Sequence, residues 1–277
     1  MTTVMTTLAA AREKLPASEA RLLLGHVLAR PAAWLIAHDD EVIGEDALLR
    51  FASLVARRKG GEPVAYLVGY REFYGREFGV SPEVLIPRPE TELLVDIVLG
   101  KGVGAGATVK SAARTLDLGT GSGCIAITLA LEIPSAQVSA VDASDDALRV
   151  ARKNAERLGA SLRLLQSDWF ESLSGESFDL IVANPPYIAE GDPHLAAGDL
   201  RHEPRQALAS GVDGLDAIRR IVTAAPRHLR PGGQLWLEHG YDQANAVHEL
   251  LAAAGLRDIE QHRDVAGIVR VSGGRLS

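Results

Sequence analysis

Along the chain the apolar positions change their period. Over residues 5–60 they recur at helical spacing: Leu22, Leu23, Leu24, Val27 and Leu28 form one stripe, and Leu48, Leu49, Phe51, Leu54 and Val55 another. Pro16 and Pro31 interrupt the pattern, so several short helices are expected to make a small bundle. Its last helix ends in Arg57-Arg58-Lys59 before Gly60-Gly61, where cations face the negative end of the helix dipole. From Pro63 to Pro89 the pattern shifts to β-like pieces rich in aromatics and glycine, Tyr66, Tyr70, Phe73-Tyr74-Gly75 and Phe78-Gly79-Val80, which predict a hairpin linker. A helix through Leu93, Leu94, Ile97 and Val98 follows, with Pro89 or a neighbour in its first turn.

Beyond a glycine-rich connection, Gly100 to Gly106, short apolar runs alternate with amphipathic stretches. Strands are predicted at 115–118, 137–142, 162–166, 178–183, 233–238, 257–262 and 267–272, and helices near 123–131, 145–158, 213–229 and 242–254. Such alternation builds a mostly parallel sheet covered on both faces, an α/β fold. The expected organisation is a helical domain over 1–62, a hairpin linker over 63–90 and the α/β domain over 91–277.

Composition narrows the class without naming a function. At 277 residues, 47% hydrophobic and 23% charged, the chain reads as a soluble globular protein. Its net charge is −7, with −1 in residues 1–90 and −6 in residues 91–277, so neither part offers the basic surface that nucleic-acid backbones require. No direct nucleic-acid binding and no membrane span are expected. The single cysteine, Cys124, excludes an intrachain disulfide and fits a cytoplasmic setting. Eight histidines lie scattered without metal-ligand spacing, and no metal is expected.

Candidate chemistry collects at the ends of the predicted strands. Leu116-Asp117-Leu118 runs into Gly119-Thr120-Gly121-Ser122-Gly123 and a helix, the arrangement in which a bare backbone turns sharply beneath a ligand at a helix N-terminus. Asp142 closes the next strand nineteen residues after Gly123, where a carboxylate can bind a ribose diol. The glycine spacing is G-x-G-x-G and not the dinucleotide fingerprint G-x-G-x-x-G. Asp117 can organise the loop, face a cationic group of the ligand or bond to nearby backbone. Asp168-Trp169 ends the third strand and suits an adenine, with the acid on its exocyclic amine and the ring on its face; Trp169 can equally be core. Asn184-Pro185-Pro186-Tyr187 follows the fourth strand as a loop stiffened by two prolines. It is either a polar site or a strand exit in which Tyr187 packs.

Taken together, these stretches resemble the class I S-adenosylmethionine-dependent methyltransferases that act on planar nitrogens. Phe73-Tyr74-Gly75, the run Ile86 to Glu92, Gln166 to Phe170 and Glu238-His239-Gly240 are similar to the HemK/PrmC family in particular, over essentially the whole chain. The resemblance implies a Rossmann-like domain with a seven-stranded mostly parallel sheet, preceded by a helical substrate-recognition domain. It implies S-adenosyl-L-methionine as cofactor and a release-factor glutamine, in Gly-Gly-Gln, as methyl acceptor. The donor would lie against Asp117, Gly119 to Gly123, Asp142, Asp168, Trp169 and Asn184, flanked by Arg88, Glu90 and Thr91. The substrate amide would lie against Asn184, Pro185, Pro186 and Tyr187, with Asn184, Pro185 and Tyr187 in the catalytic roles. The terminal loop, Arg263 to Arg270, departs from the family pattern.

A carboxamide nitrogen is a weak nucleophile, so a site that methylates it must hold it in line and stabilise the positive character it acquires. Acceptors on its two hydrogens, Asn184 Oδ1 and the Pro185 carbonyl, meet that need without a metal or covalent nucleophile. Adenine-N6 methylation asks for the same loop, and a non-catalytic nucleoside-binding adaptor asks only for the donor site. Pro231-Gly232-Gly233-Gln234 contains the target tripeptide, but it precedes an apolar strand and is read as a turn.

Overall fold

The computed structural model describes residues 1–101 and 113–277, in two compact units that divide between Tyr70 and Arg71. Residues 102–106 of the predicted glycine-rich connection lie outside the described residues.

The first unit is helical. Helices α1 (Val4–Arg12), α2 (Ala17–Leu28), α3 (Ala32–Ala37), α4 (Glu45–Lys59) and α5 (Val64–Val68) enclose Val4, Leu8, Leu23, Leu24, Leu35, Phe51 and Val55. Leu22 and Leu49 are exposed, although the pattern put them on the stripes. At 100° per residue, a run of three leucines cannot bury all its members against one surface. Arg58 at the end of α4 donates to Glu19 of α2 at 2.7 and 2.9 Å. The β-like expectation fails over Val64–Val68, which forms α5: Pro63 starts it and Gly69, at φ +83°, ends it.

The second unit contains the hairpin of β1 (Tyr70–Phe73), whose first residue belongs to the helical unit, and β2 (Arg76–Gly79). A 3₁₀ turn, Pro89–Thr91, leads into α6 (Glu92–Val98). Then β3 (Arg114–Leu118), α7 (Cys124–Glu132), β4 (Gln137–Asp142), α8 (Asp145–Leu158), β5 (Arg163–Gln166) and β6 (Phe178–Ala183) succeed one another. The unit ends with α9 (Asp216–Ala224), β7 (Leu229–Glu238), α10 (Ala244–Ala253), β8 (Leu256–Arg263) and β9 (Val269–Leu276).

Seven strands form one sheet in the order β5-β4-β3-β6-β7-β9-β8, parallel except at β9. Alternate residues of β6 serve opposite faces: Leu180 and Val182 pack with α6 and α7, and Ile181 and Ala183 with α9 and α10. Burial on both faces is why residues 180–183 of β6 read as a continuous apolar run. The helix predicted over 213–229 is shorter, because Pro226 closes it through a 3₁₀ turn and Leu229 already pairs with Phe178. Pro231-Gly232-Gly233, predicted as a turn ahead of the strand, is instead a bulged excursion inside β7, with Gly232 at φ +76°. From β3 the chain builds outward through β4 and β5 and then returns to place β6 on its other side. This reversal opens a crevice at the carboxyl ends of β3 and β6, where ligands of such sheets bind.

Candidate functional site

The loop after β3 carries its glycines at φ +70° (Gly119), +56° (Gly121) and +83° (Gly123), a region other residues enter only under strain. Gly123 has a second reason: a Cβ there would stand 2.7 Å from Ile127 Cδ1 and 3.2 Å from Ala151 Cβ. Gly121 has open space above it. Asp142, at the end of β4, accepts from the Gly121 N–H at 2.8 Å and from Ser144 N–H at 2.9 Å, so it holds the loop in shape. Burial raises its pKa, and these backbone donors oppose that.

A cavity of about 330 Å³ opens over this loop. Gly119, Gly121, Asp142, Asp168, Trp169, Asn184 and Pro186 line it, so the structure brings the ends of β3, β4, β5 and β6 to one wall. Trp169 adopts φ +51°, a strained conformation for an aromatic residue, and its ring would lie 3.3 Å from a Cβ on Gly119. Asp168 pairs with Arg220 at 2.8 Å, an interaction between half-exposed groups.

Asp117, Thr120, Ser122 and Gly123 do not line the cavity. Asp117 is fully buried and accepts from the Thr120 hydroxyl at 2.7 Å, so these residues brace the loop from below. Burial pushes the Asp117 carboxyl up to about 7. Arg220, Asp216 and Gln206 line the cavity without any signal in the sequence, since the segment that carries them is distant from every motif.

Asn184, Pro185, Pro186 and Tyr187 border a second, smaller cavity of about 60 Å³ together with Leu85 and Arg88. Asn184 and Pro186 belong to both cavities, so this loop is where the two meet. Arg88 is anchored by Glu203, whose buried carboxylate also accepts from the Ile86 N–H at 3.0 Å. Asn184 donates its Nδ2–H to Thr91 Oγ1 at 3.0 Å, and the Tyr187 hydroxyl donates to Glu238 at 3.2 Å. Burial beside Glu238 raises the Tyr187 pKa, so the phenol is neutral and remains a donor. His239 is structural: Nδ1 bonds the Gly240 carbonyl at 2.9 Å and Nε2 meets the Ser272 hydroxyl at 2.8 Å.

Two family models match the chain: PrmC N-terminal domain over residues 2–69 and Methyltransferase small domain over residues 105–213. A release factor glutamine methyltransferase of Bordetella pertussis is 53% identical over 95% of this chain and 96% of its own length. One of Burkholderia pseudomallei is 52% identical over 95% and 93%. Among solved structures, a methyltransferase from Pyrococcus furiosus superposes with a TM-score of 0.55 at 19% identity, covering 81% of this chain and 98% of that one. The catalytic domain of human Mettl16 does so with a TM-score of 0.56 at 16% identity, over 84% and 81%, and these two likenesses speak for the fold alone. Relatives more than half identical across nearly their whole length decide the matter: the chain belongs to the release factor glutamine methyltransferases and is an S-adenosylmethionine-dependent enzyme.

Proposed function

We propose that this enzyme transfers a methyl group from S-adenosylmethionine to the side-chain amide nitrogen of the glutamine in the Gly-Gly-Gln motif of peptide-chain release factors. The observation that carries the reading is the orientation of Asn184. Because its Nδ2 is engaged by Thr91, its Oδ1 is left to accept a hydrogen from a planar amide in the smaller cavity.

The residues of the larger cavity fit the donor. Its volume lies at the lower end of the roughly 300–1,000 Å³ usual for small-ligand sites. Gly121 leaves space where a side chain would intrude, and Asp142 offers a carboxylate at the wall for a diol. Trp169 offers an aromatic face, and Asp168 an acceptor for an exocyclic amine. Bound there, S-adenosylmethionine supplies a methyl group on a sulfonium, already electrophilic. The protein's own part is positional and electrostatic. Asn184 Oδ1 and the Pro185 carbonyl accept from the two hydrogens of the substrate amide. Those hydrogens grow more positive as the nitrogen gives up its lone pair, so both bonds strengthen in the transition state. Tyr187 covers one face of the amide and keeps water from it.

The helical unit, α1 to α5, is proposed to help hold the release factor, and the cytoplasm is the proposed setting. Among the described residues no helix is long and apolar enough to cross a membrane.

Incubation with methyl-labelled S-adenosylmethionine and a purified release factor, followed by peptide mapping, is expected to locate the label on the Gly-Gly-Gln glutamine. Label on adenine of a nucleic acid, with none on the release factor, would overturn the reading.

A further inference from the structure

A carboxamide carries two kinds of polar atom. Where Asn184 Oδ1 and the Pro185 carbonyl take the hydrogens of its nitrogen, its carbonyl oxygen, held in the same cavity, still needs a donor. Few groups at the smaller cavity can supply one. Pro185 and Pro186 have no N–H, the Tyr187 hydroxyl is turned to Glu238 at 3.2 Å, and the Ile188 N–H is spent on the Leu208 carbonyl at 2.9 Å. Asn184 points its amide nitrogen at Thr91. Arg88 borders this cavity and does not border the larger one, although the resemblance in sequence set it beside the methyl donor.

Backbone and side chain both hold Arg88 in place. It stands between Pro87 and Pro89, and the proline after it keeps its backbone extended, at φ −101° and ψ 141°. Its Nη2 donates to Oε1 of Glu203, while Oε2 of the same carboxylate accepts from the Ile86 N–H at 3.0 Å. Glu203 lies between the 3₁₀ turns Leu200–His202 and Arg205–Ala207, and its carboxylate is fully buried. Both oxygens are committed to one short stretch, so the guanidinium cannot swing away without stranding a buried carboxylate. Among the described residues only one N–H group of the fork is engaged, and the others remain for the cavity.

We propose that Arg88, aimed by Glu203, recognises the carbonyl oxygen of the substrate amide. The proposal rests on Asn184 holding the nitrogen of that same group, as proposed above. Together the two side chains read a primary carboxamide on both of its polar edges, with acceptors on the N–H groups and a donor on the oxygen. A carboxylate in its place sets an oxygen against Asn184 Oδ1 and the Pro185 carbonyl, and a side chain with no carbonyl leaves the guanidinium without its partner.

Amide resonance decides which constant Arg88 serves. In the ground state the nitrogen lone pair is delocalised and leaves negative charge on the oxygen. As the nitrogen turns that pair to the methyl carbon, the oxygen loses the charge and its bond to the guanidinium weakens. Arg88 therefore acts on binding and orientation of the acceptor, whereas Asn184 acts on the barrier.

The test is a double-mutant cycle on binding between enzyme and acceptor. Full-length enzyme saturated with S-adenosylhomocysteine, the donor without its methyl group, is titrated with a purified release factor carrying Gly-Gly-Gln or Gly-Gly-Ala. Arg88→Met is expected to raise Kd for the Gly-Gly-Gln factor roughly 10- to 100-fold, the scale of a hydrogen bond to a charged group, and for the Gly-Gly-Ala factor by less than about threefold. In turnover KM for the factor should rise in proportion, with kcat at saturating factor falling by less than about tenfold. Arg88→Lys keeps a cation for Glu203 but not the planar fork, so it should lose most of the coupling to the glutamine too, and it serves where Arg88→Met does not fold. Equal losses on the two factors, no loss on either, or a loss confined to kcat overturns the proposal. Asn184→Ala in the same cycle separates the two levels. Coupling to the glutamine at Asn184 but not at Arg88 removes the carbonyl contact alone; coupling at neither removes the reading of the loop as well.

Discussion

Asp142 and Asn184 border the same cavity, yet the proposed function gives them different steps. Asp142 shapes the glycine loop through two backbone N–H groups, so Asp142→Ala removes the loop's brace together with the proposed diol contact. Leaving such donors unpaired costs about 1–3 kcal/mol, so donor Kd is expected to weaken on the order of 10- to 100-fold, measured by calorimetry. Asn184→Ala should instead lower kcat by about 100-fold or more with a much smaller change in donor Kd if, as proposed, its oxygen acts on the acceptor amide as charge develops. Equal loss of donor affinity in both variants would mean that the loop after β6 belongs to the donor. The glycines divide in a similar way. Gly123→Ala drives a methyl into Ile127 and Ala151 at φ +83°, and a loss of about 1–3 kcal/mol in urea unfolding is expected. Gly121→Ala meets no neighbour, so its smaller cost, about 1 kcal/mol, should come with weakened donor binding from the methyl in the cavity. Urea curves that rank the two variants the other way would contradict this division.

At the level of elements, β6 is legible because burial on both faces gives residues 180–183 as an unbroken apolar run. Asn184 is legible for the same reason, as a polar residue standing directly after that run. The orientation of Asn184 was not legible, since its partner Thr91 lies on another element 93 positions away. Val64–Val68 reads as β-like in the sequence because five residues are too few to separate a helical from an extended period, and the aromatics beside them weigh toward strand. Asn154 gives no signal in the sequence. It sits on the polar-looking helix α8 but is 2% exposed. It accepts from the Gly79 N–H at 2.7 Å and donates to the Gly79 carbonyl at 2.9 Å and the Ser122 carbonyl at 2.8 Å. One side chain therefore clamps the end of β2 and the glycine loop onto α8. Asn154→Ala is expected to cost about 1–3 kcal/mol, which for a chain of this size lowers Tm by roughly 2–10 °C. Donor affinity should fall with it, because Ser122 is part of the clamp; an unchanged melting curve would show that the clamp carries no stability.

For the molecule as a whole, the buried carboxylates predict an unusual dependence of stability on pH. Glu132 and Glu176 are held low by their arginine and lysine partners, and Asp213 by Arg219, so their stabilisation is lost only in acid. Asp117 and Glu238 move the other way: burial raises both to about 7. Between the ordinary carboxylate range and about 7 the native state then holds protons that the unfolded chain has released, and stability falls as pH rises. His239, lowered by burial, opposes this on the acidic side of its ordinary value. Comparing variants removes that histidine, because it is common to both proteins. Asn at position 117 can still accept from Thr120 but has no charge to desolvate. Relative to the wild type, Asp117→Asn should therefore gain on the order of 2–4 kcal/mol between about pH 5 and about pH 8. Below the unfolded carboxylate value the two proteins should differ little. Parallel stability profiles across that window would mean that Asp117 is charged in the native state, and that the cavity floor is wetter than its burial implies.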